Sequence, residues 1–153
     1  MATARPHDDT RLAGETLQFM QRLWHLVHTL DVASKRMART IGVTGPQRMA
    51  LRVVGLHPDI SAQRIALTLG MHPSTLTGVL ARLEARKLIA RTADENDRRR
   101  ARFRLTAGGR AIDRARKGTV EAAISRALGR AGRHGSATLA MIDLLIAEIE
   151  RDR

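Results

Sequence analysis

The sequence predicts a mainly α-helical, α+β fold in which a helix-turn-helix is followed by a short β-hairpin. Two helical runs of apolar residues, 61–69 and 73–85, are joined by a short turn that contains Gly70. Two strand-like segments, 88–93 and 101–106, then bracket the charged stretch 94–100. In the second segment apolar residues alternate with Arg102 and Arg104, which is typical of a half-buried strand. A charged hairpin beside a helix-turn-helix predicts a winged helix-turn-helix.

The second helix of this pair carries two faces of different character. Leucine and valine residues recur at helical spacing from Leu76 to Leu83, so they form one stripe that faces a core. The opposite face has small residues flanked by Thr75, Thr77 and Arg82. Small residues let another surface approach closely, and hydroxyls and an arginine can hydrogen-bond to phosphates and base edges. The pattern predicts a helix that binds DNA.

The charge distribution supports a polyanionic partner. The 153-residue chain has 27 Lys+Arg against 15 Asp+Glu, a formal net charge of +12. The total, which is almost all arginine, is equally well explained by a GC-rich genome. Its distribution is more informative, because residues 82–104 hold nine basic and four acidic side chains beside the predicted DNA-binding helix.

Composition excludes several other classes of protein. The chain is long enough for one domain, and it has no cysteine, so disulfides, cysteine-ligated zinc and thiol-based sensing are excluded. It has no uncharged apolar run of membrane-spanning length and no apolar segment after Met1–Pro6, so we expect a cytoplasmic protein. No nucleophile elbow, phosphate loop or metal-ligand motif is present; we therefore expect no enzyme, no metal and no cofactor.

The segments that flank the winged region predict dimerisation. We expect residues 1–14 to form a flexible N-terminal arm, and 15–42 and 107–153 to form a helical dimerisation region around a DNA-binding domain at 43–106. The first helix is apolar over much of its circumference, so more than its own domain must bury it. The stretch 139–149 is likewise too apolar to lie free on a monomer. We therefore expect a homodimer.

Local signals predict where several helices begin and end. Thr44 and Gln47 form a capping-box pattern, Ser61 is an N-cap candidate, and Gly70 suits the end of a helix. After the hairpin, one helix is expected to run from a cap at Thr106 towards residue 128. A glycine-rich break at 129–135 would precede a last helix capped by Ser136.

Short motifs in and around the hairpin resemble the MarR family of bacterial transcription regulators. These motifs are Asp97-Arg98-Arg99, Leu105-Thr106 with Gly109, and the approach to the second helix, Gly42-Val43-Thr44-Gly45-Pro46-Gln47. The similarity covers roughly residues 17–149 and is strongest over 62–112. It implies a sequence-specific regulator of transcription, a repressor that binds a palindromic operator on double-stranded DNA as a homodimer formed by its first, fifth and last helices.

The helix pattern and the resemblance together predict which residues contact DNA and which bind an effector. The expected DNA-contacting residues are Ser61, Gln63, Pro73, Ser74, Thr75, Thr77, Arg82, Arg98, Arg99 and Arg100. The family gives the aspartate at the position of Asp97 a scaffold role in the wing. It also implies a cavity for a small aromatic or phenolic acid, and the residues expected near it are Trp24, His28, Arg48 and Arg52.

Other interpretations stay open at this point. A sequence-indifferent nucleoid or architectural protein would use the same basic wing without needing hydroxyls on the helix. A dimeric protein-binding module could reuse the fold, although the positive wing argues against it. Trp24 could be a core residue, and the nearby arginines could be solvated or salt-bridged. No pattern in this sequence identifies the operator, the regulated genes, or the effector and the sign of its effect. Nor does any pattern distinguish repression from activation.

Overall fold

The computed structural model describes the backbone of residues 6–94 and 100–151, and the side chains from residue 14 onward within those ranges. The chain divides into two compact units, residues 1–115 and 116–153. The elements of the first unit are α1 (Pro6–Thr40), α2 (Gly45–Leu56), β1 (Ile60–Ser61), α3 (Ala62–Leu69), α4 (Pro73–Ala85), β2 (Ile89–Ala93), β3 (Ala101–Leu105) and α5 (Ala107–Arg114). The second unit contains α6 (Val120–Ala131) and α7 (His134–Arg151).

The predicted winged helix-turn-helix is confirmed. Helices α2, α3 and α4 pack together against a three-stranded antiparallel sheet in the order β1-β3-β2. Phe103, in the central strand, pairs with Ile60 on one side and Arg91 on the other. A single apolar cluster joins α2–α4 to the sheet, and burying such surface is worth about 25 cal/mol for each Å². The cluster holds α4 against the sheet by its inner face.

Three predicted helix ends in this unit are confirmed. Thr44 and Gln47 form a complete capping box at the start of α2. Ser61 accepts a hydrogen bond from the Arg64 N–H at the start of α3. Gly70 follows α3 with a φ of 59°, a left-handed conformation that glycine adopts without steric cost. The sharp turn at Gly70 allows α4 to begin three residues later.

The N-terminal boundary of α1 was predicted wrongly. The helix begins at Pro6, nine residues before the expected start at Glu15, so most of the expected arm is helical. The residues themselves give the physical reason. Proline is favoured at the first helical position, because its missing N–H would have no partner there in any case.

The helix expected from Thr106 towards residue 128 is also divided differently. It ends at Arg114 and a new helix, α6, begins at Val120. Ala115 is extended, Gly118 has a φ of 79°, and Thr119 caps α6 by accepting from the Ala122 N–H. The glycine-rich break is shorter than expected, because α6 continues through Gly129 to Ala131 and α7 begins at His134 before Ser136.

Candidate nucleic-acid interface

The outer face of α4 is open to solvent, as the pattern of its residues predicts. The stripe that includes Leu76 and Leu83 is buried in the core cluster. On the other side, Pro73, Ser74, Thr75, Thr77 and Arg82 are all exposed. Gly78 has open space where a Cβ would be, so another surface can approach the helix backbone there. The fold thus presents hydroxyls and a cation on a rigid, firmly anchored helix.

The two threonine hydroxyls of this face are not equivalent. The Thr77 hydroxyl donates to the Pro73 carbonyl at 2.9 Å, one helical turn earlier. Its hydrogen is therefore used within the helix, and only its lone pairs are available to a partner. No partner for the Thr75 hydroxyl is found among the described residues. Thr75 can donate or accept, whereas Thr77 can only accept from a partner while it donates to Pro73.

The start of α4 contains a residue that the sequence analysis missed. His72 is the N-cap, and its Nδ1 lies 2.7 Å from the Ser74 Oγ and 3.4 Å from the Ser74 N–H, which donates to it. Serine, threonine, aspartate and asparagine are the usual N-caps, so a histidine gives no cap signal. Pro73 at the next position was the available clue, because proline is favoured just after a cap.

A cleft brings α3, α4 and the wing strands together. Its cavity volume is about 330 Å³, and Ser61, Gln63, Thr77, Arg91 and Arg100 contribute to its lining. Four of these were predicted DNA-contacting residues from three separate segments of the chain. Arg91 was not predicted, although it is exposed on β2 and faces the same cleft. Residues two apart lie on one face of a strand, so Arg91 shares its face with the buried Ile89, and the strand period gave no signal for it.

The base of the wing is fixed by ion pairs on the sheet. Arg102 binds the Asp94 carboxylate at 2.5 Å and donates to the Asp59 carbonyl at 3.0 Å. Arg104 forms a two-point contact with the Asp59 carboxylate. The hydrogen bond from Arg104 lowers the pKa of Asp59 below its usual value, and the same contact raises the pKa of Arg104. Arg102 and Arg104 are paired within the protein. The positive charge of the wing region that is available to a partner is therefore smaller than the number of basic residues in the sequence suggests.

The tip of the wing lies outside the described residues. The predicted contacts Arg98 and Arg99 and the predicted scaffold residue Asp97 are in this stretch, 95–99. Arg100, the first described residue after it, is exposed. The roles of the three residues at the tip stay predictions.

The residues expected near an effector have different surroundings. Trp24 is 65% exposed and His28 is exposed, both on α1. Arg48, by contrast, is 1% exposed, and its guanidinium donates to the carbonyl oxygens of Ile112, Asp113 and Ala115 at the end of α5.

Arg52 is also used within the protein, since it contacts both carboxylate oxygens of Asp113 at 2.9 and 3.0 Å. Arg48 and Arg52 thus hold α2 to α5. Their contacts agree with the alternative interpretation, in which these two arginines are paired within the protein. Three cavities in the described part of the chain are lined by residues other than the four expected near an effector.

Helices α1 and α7 both carry large apolar side chains that the single chain leaves exposed. On α1 these side chains are Leu17, Phe19, Met20, Trp24, Leu26, Val27, Leu30 and Val32, at 37–69% exposure. On α7 they are Leu139, Met141, Ile142, Leu144, Ile146 and Ile149, at 42–67%. Leu145 is half-buried. So much apolar surface is more than a soluble monomer usually exposes.

Two other kinds of feature are absent from the described residues. Among the described residues, no group of three or more histidine and carboxylate side chains is placed to hold a metal ion. Nor does any helix there have the length and hydropathy required to cross a bilayer.

Comparison with known proteins identifies relatives of the winged region and of the fold. Residues 41–100 match the sequence model of the MarR family. The HTH-type transcriptional repressors Rv2887 of Mycobacterium tuberculosis and Mb2911 of Mycobacterium bovis are each 32% identical over 90 residues. That match covers 59% of this chain and 65% of each relative, so the chain spans a little under two thirds of their length.

Solved structures extend the similarity of fold to most of the chain. The MepR–DNA complex of S. aureus has a TM-score of 0.72 at 18% identity and covers 86% of this chain and 97% of that one. The PcaV regulator of Streptomyces coelicolor, in complex with its natural ligand, has a TM-score of 0.65 at 22% identity and covers 97% and 98%. The sequence similarity to the MarR family model is thus confined to residues 41–100, and over the rest of the chain the solved structures show similarity of fold.

Proposed function

We propose that this protein is a homodimeric regulator of transcription that binds a palindromic site on double-stranded DNA and acts as a repressor. The observation that carries the proposal is the cleft in which the exposed face of α4 meets Arg91 and Arg100. A helix of this kind fits the major groove, where base edges present donors and acceptors. The neighbouring arginines supply the cations that phosphates require. The two mycobacterial relatives are described as repressors, and the MepR structure is a DNA complex.

The two-fold symmetry follows from the apolar faces of α1 and α7. A second copy of the chain would bury them, and closed two-fold dimers are the commonest assemblies of soluble proteins. Two copies of α4 related by a two-fold axis would read two half-sites of an inverted repeat, one helical turn or a multiple of it apart. The palindrome is thus a geometric consequence of the proposed dimer.

The helix and the strand arginine are expected to contribute differently to binding. Arg91→Ala should weaken specific and random DNA alike and lower the slope of log affinity on log salt by about 0.9 for each phosphate that the variant no longer binds. Arg114→Ala is the matched control, since it removes an exposed arginine that lines a different cavity. Equal effects of the two variants would count against the cleft as the DNA-binding surface.

The threonines of α4 test base recognition. Thr77→Val should leave the salt slope unchanged and reduce discrimination by about 1–3 kcal/mol at one base position if the hydroxyl oxygen accepts from a base. Thr138→Val on α7 is the control, because both hydroxyls donate to a carbonyl one turn earlier and both are exposed. A sequence-indifferent architectural protein, the alternative, would show no change in discrimination with either variant.

We also propose that a small aromatic acid modulates DNA binding, because PcaV binds a natural ligand and because Trp24 presents an exposed aromatic ring in this chain. Arg48 is left out of this site, because its donors bind the end of α5. The exposed indole of Trp24 can stack on a planar ligand and report its binding by fluorescence. Titration with aromatic carboxylates should quench Trp24 and change DNA affinity together; a panel without any response would refute control by such a ligand.

A further inference from the structure

The first turn of α4 contains a hydrogen-bond arrangement whose direction is determined by a single proton. The Ser74 N–H and the Ser74 hydroxyl both face the Nδ1 of His72, at 3.4 and 2.7 Å. A backbone N–H can only donate, so Nδ1 is the acceptor and carries no hydrogen in this arrangement. With no hydrogen on Nδ1, the hydroxyl at 2.7 Å can only donate to it, and the two donors share its single lone pair. Ser74 therefore offers only its lone pairs to a partner outside the protein.

Protonation of His72 reverses one of these bonds. The added hydrogen is on Nδ1, which becomes a donor to the Ser74 Oγ and no longer accepts from the backbone N–H. The hydroxyl hydrogen of Ser74 is released and can turn outward. The freed backbone N–H is at an exposed helix start, where water can bind it. Ser74 thus changes from an acceptor to a donor without any movement of the helix.

The surroundings of His72 leave this proton free to exchange with solvent. His72 and Ser74 are both exposed, so water reaches the imidazole ring and can deliver or remove a proton. The charged side chains on α4 and on α2, α3 and β2, which pack against it, are Arg48, Arg52, Arg64, Arg82, Glu84 and Arg91. Within the described part of the chain, none of them is hydrogen-bonded or ion-paired to His72.

We propose that His72 is a positioning residue that sets, according to pH, whether Ser74 accepts or donates a hydrogen bond at the DNA surface. The inference rests on the proposed function, in which α4 enters the major groove. With neutral His72, the Ser74 hydroxyl can accept a hydrogen bond from an amino group, the N4 of cytosine or the N6 of adenine. With protonated His72, it is suited to an acceptor, such as the O6 or N7 of guanine or a phosphate oxygen. The base preference at one position of each half-site then depends on pH.

The test compares base preference at pH 5.5 and pH 8.0 at constant ionic strength. DNA duplexes carry each of the four base pairs in turn at every position of a site that the protein selects from random sequence. We expect one position per half-site to change its preferred base by roughly fivefold between the two pH values, the size of one hydrogen bond. Ser74→Ala should remove that change.

Two histidine variants separate positioning from general charge. His72→Asn retains a capping acceptor that does not titrate, so the pH 8.0 preference should persist at pH 5.5. His57→Asn alters another exposed histidine, the C-cap of α2, and should leave the pH-dependent change intact. A change that survives in His72→Asn, or disappears in His57→Asn, would overturn the assignment to His72.

A measurement on the free protein tests the switch without DNA. In nuclear magnetic resonance spectra, the Ser74 amide and the His72 ring should titrate with the same midpoint, and the amide titration should be absent in His72→Asn. A Ser74 amide resonance that does not follow the protonation of His72 would overturn this inference and leave the proposed function intact. Specific binding with the same base preference at both pH values would also overturn it while leaving the proposed function intact. Absence of specific binding at every pH would overturn both.

Discussion

Gly109, in the first turn of α5, is the glycine whose packing leaves least room for a side chain. A Cβ at this position would collide with the Leu88 carbonyl oxygen, a backbone atom that cannot move without shifting the start of β2. The same oxygen accepts hydrogen bonds from the Thr106 N–H and the Thr106 hydroxyl, each at 3.1 Å. Gly109→Ala therefore forces α5 away from the base of the wing.

The expected cost follows from three contributions. Overpacking costs about 1–3 kcal/mol, and each weakened hydrogen bond about 1 kcal/mol. Against these, alanine gains up to about 1 kcal/mol in helix propensity. We therefore expect Gly109→Ala to lower the free energy of unfolding by about 2–4 kcal/mol.

The neighbouring glycine is the control for this prediction. A Cβ at Gly108 would have its nearest neighbour at 3.6 Å, an ordinary contact with the Leu88 side chain. Gly108→Ala should be neutral or stabilising by up to about 1 kcal/mol. Urea unfolding at one fixed protein concentration measures both variants, since dissociation of a dimer would otherwise contribute. Equal stabilities of the two variants would refute the packing argument.

Three further predictions follow from other contacts. Arg48→Met should lower the free energy of unfolding by about 1–3 kcal/mol, because it leaves the α5 carbonyls without their donors, and a thermal melt without change would contradict this. Replacement of both Leu145 and Ile146 by alanine should shift the protein towards monomer in sedimentation, at a cost of about 2–5 kcal/mol for each site that the dimer buries; a stable, folded, unmodified monomer at micromolar concentration would end the dimer proposal. Asp59→Asn should remove part of the acid sensitivity of unfolding. The folded-state pKa of Asp59 is lowered, so its contribution is present above its unfolded pKa of about 3.9 and is lost as the pH falls through the folded value. Identical unfolding profiles of Asp59→Asn and the unmodified protein between pH 2 and 6 would contradict that role.

Periodicity in the sequence was sufficient to predict the core of the winged region. Leu76 and Leu83 are buried because their spacing puts them on one helical face, and Phe103 is buried because it alternates with arginines in a strand. Such patterns depend on local geometry that every chain shares. They therefore predicted α3, α4, the hairpin and the exposed face of α4.

Features that depend on tertiary contacts could not be predicted in this way. Arg48 is on a short amphipathic helix, and only the approach of α5 creates the carbonyl cluster that its guanidinium binds. Arg91 was missed because the cleft that it lines exists only when the sheet is folded against α3 and α4. The break between α5 and α6 depends on Gly118, whose positive φ is one of several conformations that glycine can adopt.

Selection of bound sequences from a random pool of duplex DNA tests the proposed function most directly. The protein is mixed with the pool at physiological salt, and bound duplexes are recovered over several rounds and sequenced. We expect an enriched inverted repeat whose half-sites are one or two helical turns apart, bound about 10³-fold or more tightly than random DNA. Retention of the pool without any enriched sequence would contradict a sequence-specific regulator and favour an architectural protein, and absence of retention would contradict DNA binding altogether.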